Sequence, residues 1–394
     1  MTAIHHFIPT LIKGDGTGNN ARAMAQRITE LGIESRFFVQ EDKAGDGHTN
    51  YLEYPKYAKS GDILIYHLAT ASPIPAFLAS RNEPLVVVYQ NLTPPSYFSR
   101  YDTMAGTLQQ RGISELELLA EKAIMGIAPS QFNAHDLQQN GYRDVMKVPI
   151  IFDPEDFLGS TDPIADQSLA RVQQRGFSNW LFVGRLVPNK AQERLIMALH
   201  AHRELYGDTA VLNLVGRPLF PLYVRSLYEL ARKLDLEDRV NFVMGVSPAA
   251  LASFYQGSDV FISASQHEGF CMPIVEALFH ALPVLAYDAA AVPETLGIGG
   301  IHLKEDDPVS VAQWAHEITT NQDLRRNLVQ LGKARLNQIG PDSTVAKFDK
   351  ALVRILSIAG SNSSPDFSVP SALATASRKI IDGLTTKADL KKSH

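Results

Sequence analysis

The chain has 394 residues, 45% hydrophobic and 20% charged, with a formal net charge of −5 and one cysteine, a length that suits two domains able to bury separate cores. No apolar run reaches the roughly 18 residues needed to span a bilayer, and one cysteine neither closes an internal disulfide nor builds a cysteine cluster for a metal. Residues 1–150 carry thirteen Lys/Arg against fifteen Asp/Glu, which is no nucleic-acid surface.

The start, Met1 to Phe7, has no basic segment before its apolar run and does not read as a secretory signal, so a cytoplasmic location is expected, the inner face of a membrane included. Ile4–Ile8 reads as a first strand. It leads into Gly14-Asp15-Gly16-Thr17-Gly18-Asn19, and a helical pattern follows over 21–31. This is not the dinucleotide Gly-x-Gly-x-x-Gly fingerprint, because the third glycine is missing. Two readings stay open for it: a backbone loop that approaches a ligand closely, or an exposed turn with an Asn cap on the next helix. Strand-like runs recur at 35–39, 63–67, 85–89, 127–128 and 145–148, with helical segments between most of them. His67 ends one of these strands and Gln90-Asn91 follow another. The segment 94–101, with Tyr97, Phe98 and Tyr101, reads as a loop whose aromatics stack on a sugar or lipid.

Residues 153–178 carry prolines and acids and read as a linker between a first domain, 1–152, and a second, 179–340. The second repeats the alternation, with strands at 180–183, 211–215, 240–243, 260–263 and 283–287 and helices at 191–206, 221–234, 247–256 and 272–280. A helix over 341–358 and a flexible tail, 359–394, complete the chain. The alternation predicts an α/β protein of two doubly wound domains, whose ligands bind at the carboxyl ends of the strands, here the cleft that the domains face.

Two clusters carry chemistry. Ser265 to Ala277 places Glu268 and Glu276 on either side of a Gly-Phe-Cys-Met-Pro turn, directly after a buried strand. A helix should open near Met272 with Pro273 at an early position, leaving the amides of Gly269, Phe270 and Cys271 as an anion-binding turn at its N-terminus. Phosphates in the middle and hydroxyls on either side describe a nucleotide-sugar. The second cluster is Gly184-Arg185 with Lys190, a strand end able to stabilise a departing diphosphate without a metal. No metal-ligand spacing joins His5, His6 and His267, and Cys271 reads as a small buried hydrophobe.

Gly184-Arg185 with Lys190, then Leu214-Val215-Gly216, then Val240 to Val246, then Tyr255 through Ser263, then Glu268 to Glu276, resemble in order and spacing the donor domain of retaining GT-B glycosyltransferases of family 4 (glycosyl transferases group 1). The resemblance is strong over 177–340 and architectural over 1–150. It implies a GT-B fold with an acceptor-side N-terminal domain and a donor-binding C-terminal domain. Arg185 and Lys190 then hold the diphosphate, Glu276 the ribose hydroxyls and Glu268 the transferred sugar. Met244-Gly245-Val246 lie along the nucleobase, and Gly184, Gly216 and the 269–271 turn complete the donor site. On the acceptor side it implies Gly14, Asp15 and Gly16 in a closing loop, with Gln90 and Asn91 beside it and His67 as the catalytic imidazole; Gln90 departs from the His expected after that strand.

The activity implied is metal-free, retaining transfer of a hexose from a UDP- or GDP-sugar to a hydroxyl of a glycan, lipid-linked or small-molecule acceptor, as in polysaccharide biosynthesis. No cofactor beyond the donor is implied, and peripheral membrane contact is compatible with a lipid-linked acceptor. The alternatives are a catalytically silent glycosyltransferase-like binding or scaffold subunit, and a GT-B sugar-nucleotide epimerase or phosphorylase.

Overall fold

The protein was described from a computed structural model over residues 3–12, 15–43, 45–157, 159–305 and 307–361. Gly14 and most of the expected 359–394 tail lie outside the described residues. Two compact units divide the chain. The first is assembled from residues up to Leu92, from Thr107–Phe152 and from Pro341 onward, the second from Thr93–Gly106 and Asp153–Gly340.

The first unit is a seven-stranded parallel sheet: β1 (Ile4–Thr10), β2 (Phe37–Glu41), β3 (Thr49–Asn50), β4 (Ile63–Leu68), β5 (Leu85–Tyr89), β6 (Ala123–Ala128) and β7 (Val145–Lys147), in the order β3-β2-β1-β4-β5-β6-β7. β1, β4 and β5 are buried along nearly their whole length because helices cover both faces, and Ile4, Ile63, Ile65, Val86 and Val88 form one core layer. The final helix, Pro341–Ser361, belongs to this unit. Its Phe348, Leu352 and Ile355 enter that layer, and its Asp349 accepts a bidentate bond from Arg27 at 2.8 and 2.7 Å. It runs three residues past the expected boundary at 358.

The second unit is a six-stranded parallel sheet: β8 (Ser178–Val183), β9 (Ala210–Val215), β10 (Val240–Val243), β11 (Val260–Ser263), β12 (Val284–Tyr287) and β13 (Ile301–Leu303), in the order β10-β9-β8-β11-β12-β13. Trp180, Phe182, Leu212, Leu214 and Ile262 fill its centre. Its order reverses between β8 and β11, the switch point at whose carboxyl end an open parallel sheet leaves a crevice. With helices between its strands, it is, like the first unit, a doubly wound α/β domain.

Three sequence expectations change. The 153–178 linker contains a helix, Pro163–Gln174, capped by Asp162, and its Leu169 is buried against Phe254 and Leu181 in the second unit. Proline and acid content marked the cap rather than a free tether. The 94–101 segment forms a short helix, Ser96–Ser99, and Phe98 is buried, stacked on Phe220 at 5.1 Å, so that aromatic is core and not an acceptor platform. The helix expected from residue 21 starts at Gly16. Asn20 lies inside it and accepts the Ile151 amide at 3.0 Å instead of capping.

His6 and His67 lie on the neighbouring strands β1 and β4, both fully buried. Nδ1 of His6 and Nε2 of His67 are 2.9 Å apart, so the two rings share one proton. Burial, then the neighbouring imidazoles, holds His6 well below its ordinary range, and burial holds His67 at about 3. Unfolded imidazoles take protons near pH 6.5. The stability these neutral rings contribute is therefore complete above pH 6.5 and is lost as pH falls below it, for His67 down to about pH 3 at about 1.4 kcal/mol per pH unit. Denaturant melts between pH 7.5 and 4.5 should show this acid lability, and His67→Gln should flatten the dependence; a parent whose midpoint is unchanged over that range would show that the pair is not buried and neutral.

Candidate functional site in the second unit

Parallel strands that end at a switch point need room for the chain to turn, and glycine supplies it here. Gly184 follows β8 at φ +153° and Gly216 follows β9 at φ +159°. A Cβ on Gly216 would stand 1.8 Å from the Gly184 carbonyl oxygen, so no side chain fits. Beyond Gly184, Arg185 is exposed and its guanidinium pairs with no acid among the described residues. Its backbone is fixed by Gln192 Nε2, which donates to the Arg185 carbonyl at 2.9 Å, and Gln192 is itself held by the Tyr223 hydroxyl.

A single 3₁₀ turn, Pro188–Lys190, then brings Lys190 back, and Ala191 takes the left-handed conformation at φ 50° to start the next helix. Lys190 Nζ forms an ion pair with Glu268, each side chain only 13% and 9% exposed. Asn189 joins the same two segments: its Nδ2 donates to the His267 carbonyl at 2.9 Å and its carbonyl accepts from the Gln266 amide at 2.8 Å. The two sequence clusters, some eighty residues apart in the chain, are thus one constellation.

The turn 268–271 is held from behind. The Ala291 amide donates to the Glu268 carbonyl at 3.3 Å, and the Thr295 hydroxyl donates to the Phe270 carbonyl. Arg335 in turn donates to the carbonyls of Glu294 and Thr295, closing the short helix Val292–Leu296. The amides of Gly269, Phe270 and Cys271 meet no acceptor among the described residues. They precede the helix Met272–Phe279, which has proline in its first turn and Cys271 at its N-cap in the left-handed conformation, φ 72°. Free amides at a helix N-terminus form an anion site. Burial, then the charge of Glu268, pushes the Cys271 thiol well up, so it stays a protonated, unreactive group.

One turn into that helix, Glu276 accepts the Tyr255 hydroxyl at 2.6 Å. Burial raises its acidity range and the tyrosine bond lowers it. Met244 and Gly245 are exposed and Val246 half-buried beyond the end of β10, with Gly245 at φ +68°. The expected residues of this unit therefore fall on the loops after β8, β9, β10 and β11. Sequence reading gave no role to Tyr255, Asn189 or Thr295. Tyr255 was marked only as the first residue of a resembling segment, and the side chains of the other two bond to backbone carbonyls that no spacing announces.

The residues expected on the acceptor side lie in the first unit. His67 does not present its ring to solvent: it is fully buried and bonded to His6. The cause is register, since β4 is covered on both faces and His67 is its fifth residue rather than a residue beyond its end. Gln90 is half-buried, and its Nε2 meets no partner among the described residues. Asn91 sits at φ 81° and accepts from Asn133 Nδ2 at 3.2 Å. Asp15 caps the Gly16–Glu30 helix through its backbone position, without a side-chain bond. Gly18, inside that helix, is a glycine of this segment with a steric reason: a Cβ there would meet the Ile12 carbonyl at 2.7 Å. Among the described residues no group of three His, Cys, Asp or Glu could hold a metal ion, and no helix is long and apolar enough to cross a membrane.

Residues 175–335 match the family model described as glycosyl transferases group 1. A D-inositol 3-phosphate glycosyltransferase of Geodermatophilus obscurus is 30% identical over 153 residues, 36% of this chain and 34% of that protein. A GDP-mannose-dependent alpha-(1-6)-phosphatidylinositol monomannoside mannosyltransferase of Mycobacterium tuberculosis is 30% identical over 121 residues, 29% of this chain and 30% of that protein. The chain spans about a third of the length of these relatives. Among solved structures, HepE of Anabaena in complex with UDP and glucose superposes with a TM-score of 0.69 at 20% identity, over 89% of this chain and all of that one. WaaG, a glycosyltransferase involved in lipopolysaccharide biosynthesis, gives 0.62 at 15%, over 88% and 98%. The fold is that of these GT-B structures, and the family-model match lies within the second unit.

The close approach of Gly184 and Gly216 is testable against a milder glycine. Gly216→Ala should cost at least about 3 kcal/mol, because backbone must move to admit the methyl group. Gly245→Ala, with open space around it but a left-handed φ, should cost only about 1 kcal/mol. Equal losses in denaturant melts would contradict the packing described.

Proposed function

We propose that this chain is a retaining glycosyltransferase that moves a hexose from a UDP- or GDP-sugar to a hydroxyl of a glycan, lipid-linked or small-molecule acceptor, without a metal ion. The observation that carries the reading is the joining of Lys190 to the 268–276 turn: one cation, three free amides and two carboxylates around a helix N-terminus. HepE has been solved with UDP-glucose, and the mycobacterial relative is GDP-mannose-dependent. These support a nucleotide-sugar donor and leave both bases in play.

In this reading Lys190, Arg185 and the 269–271 amides neutralise the diphosphate, Glu276 receives the ribose hydroxyls and Glu268 the sugar. The acceptor oxygen bonds to the anomeric carbon on the face from which the diphosphate leaves. The C–O bond to phosphate breaks, and the acceptor proton passes to the leaving phosphate oxygen. No protein nucleophile is used. The ion pair gives Lys190 a resting partner, so donor binding exchanges a carboxylate for a diphosphate as its counter-ion without exposing a buried cation.

A second reading is a binding or scaffold subunit without turnover, favoured by the burial of His67 and by Gln90 where a histidine was expected. The two separate cleanly. The transferase should show UDP or GDP raising the melting temperature in the presence of EDTA, hydrolysis or transfer with one member of a nucleotide-sugar panel, and retained anomeric configuration by proton NMR of the product. Lys190→Ala should lower turnover by about 10²-fold or more. Nucleotide binding with no turnover on any donor would favour the scaffold, an inverted product would remove the proposed mechanism, and a thermal shift that requires a divalent ion would remove its metal independence.

A further inference from the structure

A carboxylate that must accept two ribose hydroxyls has to keep its charge and its rotamer while largely withdrawn from water. Glu276 has one protein partner for that purpose among the described residues. The Tyr255 hydroxyl lies 2.6 Å from Oε2, and no hydrogen bond is made to Oε1. Tyr255 is itself almost fully buried. Its ring stacks on His280 with 5.3 Å between centroids and 10° between planes, and it meets Phe261 of β11 at 6.3 Å. Tyr255 comes from the helix Pro248–Gly257, while Glu276 and His280 lie one turn apart on and just beyond the next helix. The aromatic ring is thus wedged between elements, and the hydroxyl cannot swing away without unpacking it.

We propose that Tyr255 is the positioning residue of the donor site, clamping Oε2 of Glu276 so that Oε1 is presented, ionised, to the ribose hydroxyls of the nucleotide. This rests on the donor-site reading above and adds to it a residue that touches no substrate. The clamp has a physical consequence. The phenolic bond is what opposes the effect of burial on Glu276, so without it the carboxyl takes a proton at higher pH and presents a donor–acceptor group in place of a double acceptor. The titratable groups around the tyrosine are Glu276, the Cys271 thiol and the His280 imidazole. Burial keeps the thiol protonated and lowers the imidazole, so neither adds a charge near neutral pH.

The test is a double-mutant cycle read by calorimetry with UDP and GDP between pH 5.5 and 8.5, using the full chain, Tyr255→Phe, Glu276→Gln and the double variant. Tyr255→Phe should weaken nucleotide binding about tenfold near pH 7.5. It should also shift upward the pH below which affinity falls. Both effects should vanish in the Glu276→Gln background. A carbon-13 NMR titration of the Glu276 carboxyl, without nucleotide, should show its midpoint raised in Tyr255→Phe, which loss of packing alone would not do. Parent-like affinity of Tyr255→Phe across the pH range, or an equal loss with and without Glu276, overturns the clamp and leaves the donor site standing. A parent that binds neither nucleotide overturns the donor site and the clamp with it.

Discussion

An ionised carboxylate removed from water must be given a donor, and the second unit is arranged around two that have one. A bare carboxylate in a low-dielectric pocket would neutralise itself by taking a proton. Glu268 is paired with Lys190, and Glu276 accepts the Tyr255 hydroxyl. The partners differ in a way that suits separate tasks. Lysine is a flexible point charge that can be shared with an arriving phosphate, whereas a wedged phenol stays where packing puts it. Cys271 stands between them. Its thiol interacts with Glu268 on one side and lies close enough to Tyr255 to influence it on the other.

The same constraint explains the glycines and the braces. Strands β8 and β9 can deliver Arg185 and Lys190 to the switch point only because Gly216 lets its chain lie against the Gly184 carbonyl. The 268–271 turn can leave three amides free because its carbonyls are taken by Ala291 and Thr295. Fixing acceptors while leaving donors unpaired gives a helix N-terminus its preference for anions.

Most of the fold was legible in the chain. Eleven of the thirteen strands announce themselves as apolar runs; the two that do not, β3 and β13, are two and three residues long at sheet edges, where partial exposure removes the apolar signal. The grouping of the Lys190 and Glu268 segments was legible because Gly, Arg, Lys and Glu at fixed spacing fall on one loop set. His67 misled because a histidine inside a strand and one just past its end differ by a residue in the sequence, yet one is packed in a core and the other can reach solvent. The aromatic segment 94–101 misled for a related reason: exposed and buried aromatics have the same composition, and only the position of Phe220 decides which Phe98 becomes.

Two residues of this region also carry backbone strain. Of the six non-glycine residues at positive φ among the described residues, Ala191 and Cys271 lie here, while Asn91, Asp235, Ala281 and Ala290 lie elsewhere; the conformation costs about 1–3 kcal/mol each and persists only where its surroundings over-determine it. Ala191 adjoins Lys190, and Cys271 closes the anion turn. Cys271 is held on both sides: its side chain lies in one buried cluster with Ile274 and Tyr255, and the residue before it is anchored through Thr295. A glycine there would relieve the strain but forfeit the buried thiol and its contact with Glu268. The left-handed cysteine is therefore the side-chain solution to a backbone problem, tying the anion turn to the carboxylates it has to hold apart.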